Sequence, residues 1–202
     1  MRESGSQLVS IKKLFYSFLL FVVVLSSHAQ GTIRLQQYVD SMIQQKEIKS
    51  QQLIGTIYPA FAIANTSEGG TINNQALKGK ITIINFWFEA CAPCIAELDA
   101  LSNLYNKYKN NASFQFLSLT VDNSETAQKA VKKYNIPYAV YPITKEDAYK
   151  MNFHSGFPTS IIINRAEEIL FFTTGGHTEK EMADKQVKEM EDIIAQNLTI
   201  RL

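Results

Sequence analysis

The sequence predicts an α/β domain: a central β-sheet flanked by helices. Three observations predict it. Ile81, Ile83, Ile84, Phe86 and Trp87 form a near-continuous apolar run rich in β-branched and aromatic residues, the mark of a strand buried on both faces. Apolar positions at Ile95, Leu98, Leu101, Leu104 and Tyr108 follow at helical spacing. Further strand-like runs, such as Phe114–Val121 and Ser160–Ile163, alternate with helical segments, as in a parallel βαβ unit.

The chain has 202 residues, enough for one domain with a sizeable core. It opens with a targeting pattern. Lys12 and Lys13 are the positive region, Leu14–Leu25 is an apolar stretch broken only by Ser17, and Ser27-His28-Ala29 offers a small-x-small cleavage site. The apolar stretch is shorter than the about 20 residues of a spanning helix. Residues 1–29 are therefore expected to be a signal peptide cut near Ala29, leaving a soluble exported protein. The other reading is an uncleaved membrane anchor. No cysteine follows the apolar stretch, which excludes a lipoprotein anchor. Formal net charge is +1; the targeting segment carries Arg2, Lys12, Lys13 and Glu3, a net +2, and its removal leaves −1. Neither value suits a nucleic-acid surface or a polybasic membrane patch.

Residues 30–52 form an N-terminal extension with Leu35, Val39, Met42 and Ile43 on one helical face, expected to pack on its own domain rather than on a partner. The main domain is expected over 53–202. Phe61–Ala64 and Thr71-Ile72 flank a Glu68-Gly69-Gly70 turn and read as a hairpin. After the strand at Phe114–Val121, Ser124 is the expected N-cap of a helix over Glu125–Tyr134. Tyr138–Tyr141 reads as a short strand, Lys145–Met151 as a short helix, and Ile169–Thr173 as a strand. A final helix runs over Thr178–Gln196, with Thr178 as N-cap and Glu181 as its capping-box partner.

The chemistry sits between strand and helix, at Cys91-Ala92-Pro93-Cys94. A cysteine at a helix N-terminus meets unpaired backbone N–H groups and the positive end of the helix dipole. Both favour the thiolate, the form that attacks a disulfide. Pro93 suits an early helical position because its missing N–H has no partner to lose there. The two-residue spacer lets Cys94 close a disulfide with Cys91. The first cysteine of such a pair is the more exposed, so Cys91 is assigned as nucleophile and Cys94 as resolving thiol. These are the chain's two cysteines. A pair this close is poorly placed for a structural staple and reads as redox machinery. Zinc takes about four ligands, and no second C-x-x-C exists; a c-type haem would need histidine where Ile95 stands.

Asn85-Phe86-Trp87, the C-x-P-C and Glu97 together resemble the thioredoxin superfamily, and within it the TlpA/ResA-like thiol-disulfide oxidoreductases. That branch has Asn where thioredoxins proper carry a buried Asp, and Glu three residues after the second cysteine. Gly55, Pro59 and Phe61 match its G-x-x-x-P-x-F lead-in, and Leu77-Lys78-Gly79-Lys80 its L-K-G-K. The resemblance implies a thioredoxin fold, a central mixed sheet flanked by helices, with an N-terminal β-hairpin extension. It implies a cis-proline at Pro158, facing the cysteines, with Phe157 beside Cys91. It makes Glu97 a candidate acid/base for Cys94; the other reading is an acidic residue complementing the helix dipole. Asn85 is a neutral hydrogen bonder or a satisfied core amide, and Trp87 is core and site packing. One departure stands out: many members have Trp where this chain has Ala90.

By resemblance, the activity is reduction of client protein disulfides in the bacterial periplasm or cell envelope, for example on apocytochrome c thiols. Electrons would come from a membrane or periplasmic thiol donor. Neither a metal nor an organic cofactor is implied beyond the redox-active Cys91–Cys94 pair, and a monomer is expected. A thiol peroxidase is the weaker enzymatic reading, since neither cysteine has Thr three residues before it, as the peroxiredoxin T-x-x-C pattern requires. A non-catalytic binding module on the same fold would need none of C-x-P-C, Pro158 and Glu97.

Overall fold

The computed structural model describes residues 34–64 and 69–199. The targeting segment with its expected cut near Ala29, and Asn65 and Glu68 in the hairpin turn, lie outside them. The chain divides into two units, Met1–Ile48 and Lys49–Leu202. Of the first, residues 34–48 are helical, the start of α1 (34–53), and carry Leu35, Tyr38, Val39, Met42 and Ile43 exposed. Among the described residues no helix is long and apolar enough to cross a membrane.

The second unit is built on a five-stranded mixed sheet. Its strands are β3 (Ile81–Trp87), β4 (Phe114–Thr120), β5 (Val140–Pro142), β6 (Thr159–Ile163) and β7 (Ile169–Thr174), in the spatial order β5-β4-β3-β6-β7. β3 is central, parallel to β4 and antiparallel to β6; β4 and β5 pair parallel, and β6 and β7 antiparallel. The expected hairpin forms a separate two-stranded sheet, β1 (Ala62–Ala64) with β2 (Thr71–Asn73). This is the mixed α/β sandwich expected of the chain.

Every residue of β3 is buried, because both faces of the sheet are covered. Alternate side chains feed two cores. Ile81, Ile83 and Trp87 pack with Leu98, Leu101 and Leu104 of α2 (Ala92–Tyr108) and with Val187, Met190 and Ile194 of α5 (Lys180–Thr199). Ile84 and Phe86 pack on the opposite face with Tyr58, Leu77, Leu119 and Met151. The β7 edge is covered rather than left bare: Gly55 N–H donates to Ile169 at 2.8 Å, Ile169 N–H to Thr56 at 2.9 Å and Tyr58 N–H to Glu167 at 2.8 Å.

Two helix starts differ from expectation. The cap of α3 (Ser124–Lys133) is Asn123, whose side-chain oxygen accepts from Thr126 N–H at 2.9 Å. Ser124 already has helical backbone, and an Asn one position earlier fills the cap equally well. Helix α5 begins two residues beyond Thr178, with the Glu179 carbonyl accepting from Met182 and Ala183 N–H, so Thr178 is not its cap. β5 begins at Val140 rather than Tyr138, while α4 (Lys145–Met151) falls where the sequence placed it, capped by Thr144.

Asn123→Ala is expected to lower stability to denaturant by about 1 kcal/mol, and Ser124→Ala by only a few tenths. Equal effects in urea titrations of the two variants would return the cap to Ser124.

Candidate active site

Strand register brings the site together. At the C-terminal end of β3, Phe86 pairs with Thr159 on one side and Trp87 with Thr120 on the other. The turn after β3, the turn after β4 and the loop before β6 therefore meet at one end of the sheet. The first delivers Cys91, the second Asp122 and the third Pro158.

Cys91 is the N-cap of α2 and is disulfide-bonded to Cys94, with the Cα atoms 5.2 Å apart. Cys94 N–H points at Cys91 Sγ, 3.3 Å away, and Cys91 C=O accepts from Ile95 N–H at 3.0 Å. Ala92 and Pro93 occupy the first two helical positions. Cys91 keeps 6% of its surface exposed and Cys94 none. Access thus favours attack through Cys91.

The Phe157–Pro158 peptide bond is cis. A Cβ built on Gly176 would lie 2.9 Å from Pro158 Cγ and 3.3 Å from Pro93 Cβ. The end of β7, the cis-proline loop and the first turn of α2 are therefore in close contact, with Pro158 beside the C-x-P-C. Gly175 N–H fixes Pro158 C=O at 2.7 Å, and Thr159 Oγ1 donates to Gly156 C=O at 2.7 Å. The turn leading into this loop is held by buried Asn152. Its Nδ2 donates to Ser155 C=O and its Oδ1 accepts from Ser155 N–H, each at 3.0 Å. The Phe157 ring stands edge-on to Phe88 at 5.3 Å.

Glu97 is a carboxyl inside the core, 2% exposed. Its Oε1 accepts from Asn85 Nδ2 at 3.0 Å, and the same nitrogen donates to Ser160 Oγ at 3.0 Å. Burial pushes the Glu97 carboxyl up from 4.5 to about 7, against a smaller downward pull from the Asn85 hydrogen bond. Register places Ser118, Asn85 and Ser160 side by side across three strands. Trp87 is fully buried and its Nε1–H donates to Ser118 Oγ at 2.8 Å. Buried Tyr138 has its phenol pKa raised, first by desolvation and then by the Glu97 charge.

The sequence did not single out Asp122, whose Oδ2 accepts from Glu89 N–H at 2.6 Å and pins the turn that carries Cys91. Nor did it single out Asn152, Gly176, Ser118 or Ser160. A Gly-Gly pair closing a strand was the available signal for Gly176, and Asn152 three residues before Ser155 was a local turn signal; Asp122, Ser118 and Ser160 need the tertiary structure. Among the described residues, no group of three or more His, Cys, Asp or Glu is placed to hold a metal ion.

The AhpC/TSA family profile matches residues 54–172, which include every group described above except Gly175 and Gly176. The chain belongs to the AhpC/TSA family. The thiol-disulfide oxidoreductase ResA of Bacillus cereus is 31% identical over 136 residues, 66% of this chain and 77% of that protein. The ResA of Halalkalibacterium halodurans is 32% identical over 117 residues, 56% of this chain and 64% of that protein. A thiol:disulfide interchange protein of the thioredoxin family from Chlorobium tepidum superimposes with a TM-score of 0.55 at 23% identity, covering 71% of this chain and 97% of that one. The thioredoxin fold and the ResA-like kinship expected from Asn85-Phe86-Trp87, C-x-P-C and Glu97 both hold.

Two outcomes follow from this geometry. Below pH 4.5 Glu97 is protonated in folded and unfolded chains alike; as pH rises towards 7 the unfolded chain gives up its proton first, so stability falls, and above about 7 the loss is complete. The oxidised protein is expected to lose about 3 kcal/mol across that window, and Glu97→Gln to abolish this dependence in urea titrations. Gly176→Ala is expected to cost about 1–3 kcal/mol, because its methyl group must push Pro158 or Pro93 aside. A Gly176→Ala variant as stable as the parent would contradict the close contact.

Proposed function

We propose that this protein is an exported thiol-disulfide oxidoreductase of the bacterial envelope that reduces protein disulfides with the Cys91/Cys94 dithiol. The observation that carries this reading is the Cys91–Cys94 pair at the N-terminus of α2, with cis-Pro158 beside the C-x-P-C and a buried carboxyl, Glu97, three residues after Cys94 on the same helix. The names and sequence similarity of the ResA relatives support it.

The reaction needs no group beyond the chain and its thiol partners. In the reduced protein, Cys91 thiolate attacks one sulfur of a client disulfide. A Cys91–client disulfide forms and the client's other sulfur leaves as a thiolate, which takes a proton. Cys94 then loses its proton and attacks Cys91 Sγ. The Cys91–Cys94 bond forms, and the client's second sulfur leaves and is protonated. Two electrons and two protons pass from the protein to the client. A dithiol donor in the envelope returns the protein to its reduced form by the reverse exchange.

Each site group has a task in this scheme. The N-terminus of α2 favours Cys91 as thiolate. Glu97, with its carboxyl near neutrality, accepts the proton that Cys94 sheds, and Asn85 holds that carboxyl in place. Pro158 has no N–H, and the loop before it lies open for an extended client segment to run beside the cysteines. Trp87 packs beneath the site, and Ala92, Pro93 and Phe157 form the surface the client meets. The clients are envelope proteins with an oxidised cysteine pair: apocytochrome c, whose thiols the exchange restores during cytochrome c maturation, or other envelope proteins.

With dithiothreitol as the electron source and insulin as the substrate, Cys91→Ser is expected to remove turnover. Cys94→Ser is expected to accumulate a Cys91–client disulfide, visible on a non-reducing gel. Unchanged insulin reduction by Cys91→Ser would overturn the assignment.

A further inference from the structure

Beside the catalytic disulfide lies a cavity of about 560 Å³, within the about 300–1,000 Å³ typical of ligand pockets, that the scheme above does not use. Phe88, Phe157, Tyr149 and Val121 give it apolar walls, and Lys145, Asp122, Asn123 and Thr126 complete the lining. Its position follows from the chain path. Phe88 lies three residues before Cys91, and Phe157 immediately precedes cis-Pro158. The loops that hold the reacting sulfurs and the cis-proline thus each contribute an aromatic ring to it.

The rings are set by one another. Phe157 stands edge-on to Phe88 with centroids 5.3 Å apart, and Tyr149 approaches Phe157 at 6.3 Å. Tyr149 nevertheless keeps 42% of its surface exposed. An incoming apolar group can therefore cover ring surface without displacing core side chains. The charges in the wall are unequal in availability. Asp122 Oδ2 accepts from Glu89 N–H at 2.6 Å and from Thr120 Oγ1 at 3.2 Å. Neighbouring Glu146 pairs with Lys150, and Asp147 accepts from Thr144. Lys145 makes no ion pair among the described residues. Lys145 is the one cation of the lining, while Asp122 is held to the Glu89 turn through Oδ2.

We propose that this cavity is a client-specificity subsite. It takes one large apolar side chain, aromatic or long aliphatic, that neighbours the client's reacting cysteine, with a carboxylate beside it facing Lys145. The inference rests on the oxidoreductase reading and adds to it the class of client. The apolar side chain is recognised by the three rings and the carboxylate by Lys145, while the disulfide exchange remains the work of the cysteines.

The test uses short peptide disulfides that carry Phe-Glu, Ala-Glu or Phe-Lys next to the cysteine, on its N-terminal or C-terminal side. Reduction is driven by dithiothreitol, and kcat/KM is measured for each. On one of the two sides, Phe-Glu is expected to exceed Ala-Glu by about tenfold, what partial burial of such a side chain is worth, and mainly through KM. Phe-Glu is expected to exceed Phe-Lys severalfold on the same side. In Tyr149→Ala, a change at an exposed position, the Phe-over-Ala ratio is expected to fall to about fourfold or fivefold, in proportion to the loss of one ring of three. In Lys145→Glu the Glu-over-Lys order is expected to reverse. Equal kcat/KM for Phe and Ala peptides on both sides, with the peptides still turned over, overturns the subsite and leaves the oxidoreductase reading standing. Failure to reduce the peptides and also a small aromatic disulfide removes both.

Discussion

The pairing of β3 on both its edges is the constraint on which the site depends. β3 meets β4 in parallel and β6 in antiparallel, so the end of β3 adjoins the end of β4 and the beginning of β6. Because β3 and β4 run in one direction and β6 in the other, Cys91, Asp122 and Pro158 come to one end of the sheet. Register matters as much as order. A one-residue slip of β6 would turn Ser160 away from Asn85 and carry the Ile161 and Ile163 set to the wrong core. The buried Asn85–Ser160 hydrogen bond, 3.0 Å long, would be lost in that slip and opposes it. The same side chains that stabilise the sheet therefore fix the geometry of the chemistry.

Among the described residues, Glu97 is the one ionisable carboxyl in the buried core. A carboxylate at that depth is costly, so the group stays protonated up to about neutrality. Its surroundings are polar but uncharged. Asn85 gives it one hydrogen bond and gives another to Ser160, while Ser118 is taken by the Trp87 indole. A cation in this row would hold Glu97 ionised at every working pH and leave it unable to trade a proton. Neutral partners keep its pKa where the proton can move. Tyr138, buried nearby and raised in pKa partly by the Glu97 charge, stays protonated and does not compete for that proton.

How much of this could be read in advance follows from how local each feature is. The strand at Ile81–Trp87, the helix after it and the cysteines at its start are written in contiguous residues, and they stand where the sequence placed them. α4 was equally legible, with its own cap and short apolar pattern. At the start of α3 two adjacent capping residues, Asn123 and Ser124, compete on nearly equal terms, while α5 starts after Glu179, which propensity alone would not choose over Thr178. The cis geometry of Pro158 was accessible only through family resemblance, since nothing local distinguishes it from a trans proline opening a strand. Asp122 and Gly176 act through partners fixed by tertiary structure, whereas Asn152 holds a local turn at Ser155 that no apolar periodicity marks. For Asp122 and Glu89 the separation is 33 residues, and no local pattern encodes that pairing.

Two influences on the cysteines oppose one another, and their separation in space is what makes the pair usable. Cys94 N–H already faces Cys91 Sγ in the disulfide. On reduction the same donor faces a thiolate, and a hydrogen bond to a charged acceptor is stronger than one to a neutral sulfur. Together with the helix N-terminus, it favours charge on Cys91. Glu97 lies one turn further along α2 than Cys94, on the inner side, and once ionised it disfavours a second negative charge on Cys94. In the proposed scheme Cys91, the less deeply buried of the two, is therefore the one prepared to attack, while Cys94 stays a thiol until the Glu97 carboxylate takes its proton. Position along a single helix, one cysteine capping it and the other inside its first turn, divides the two roles between chemically identical side chains.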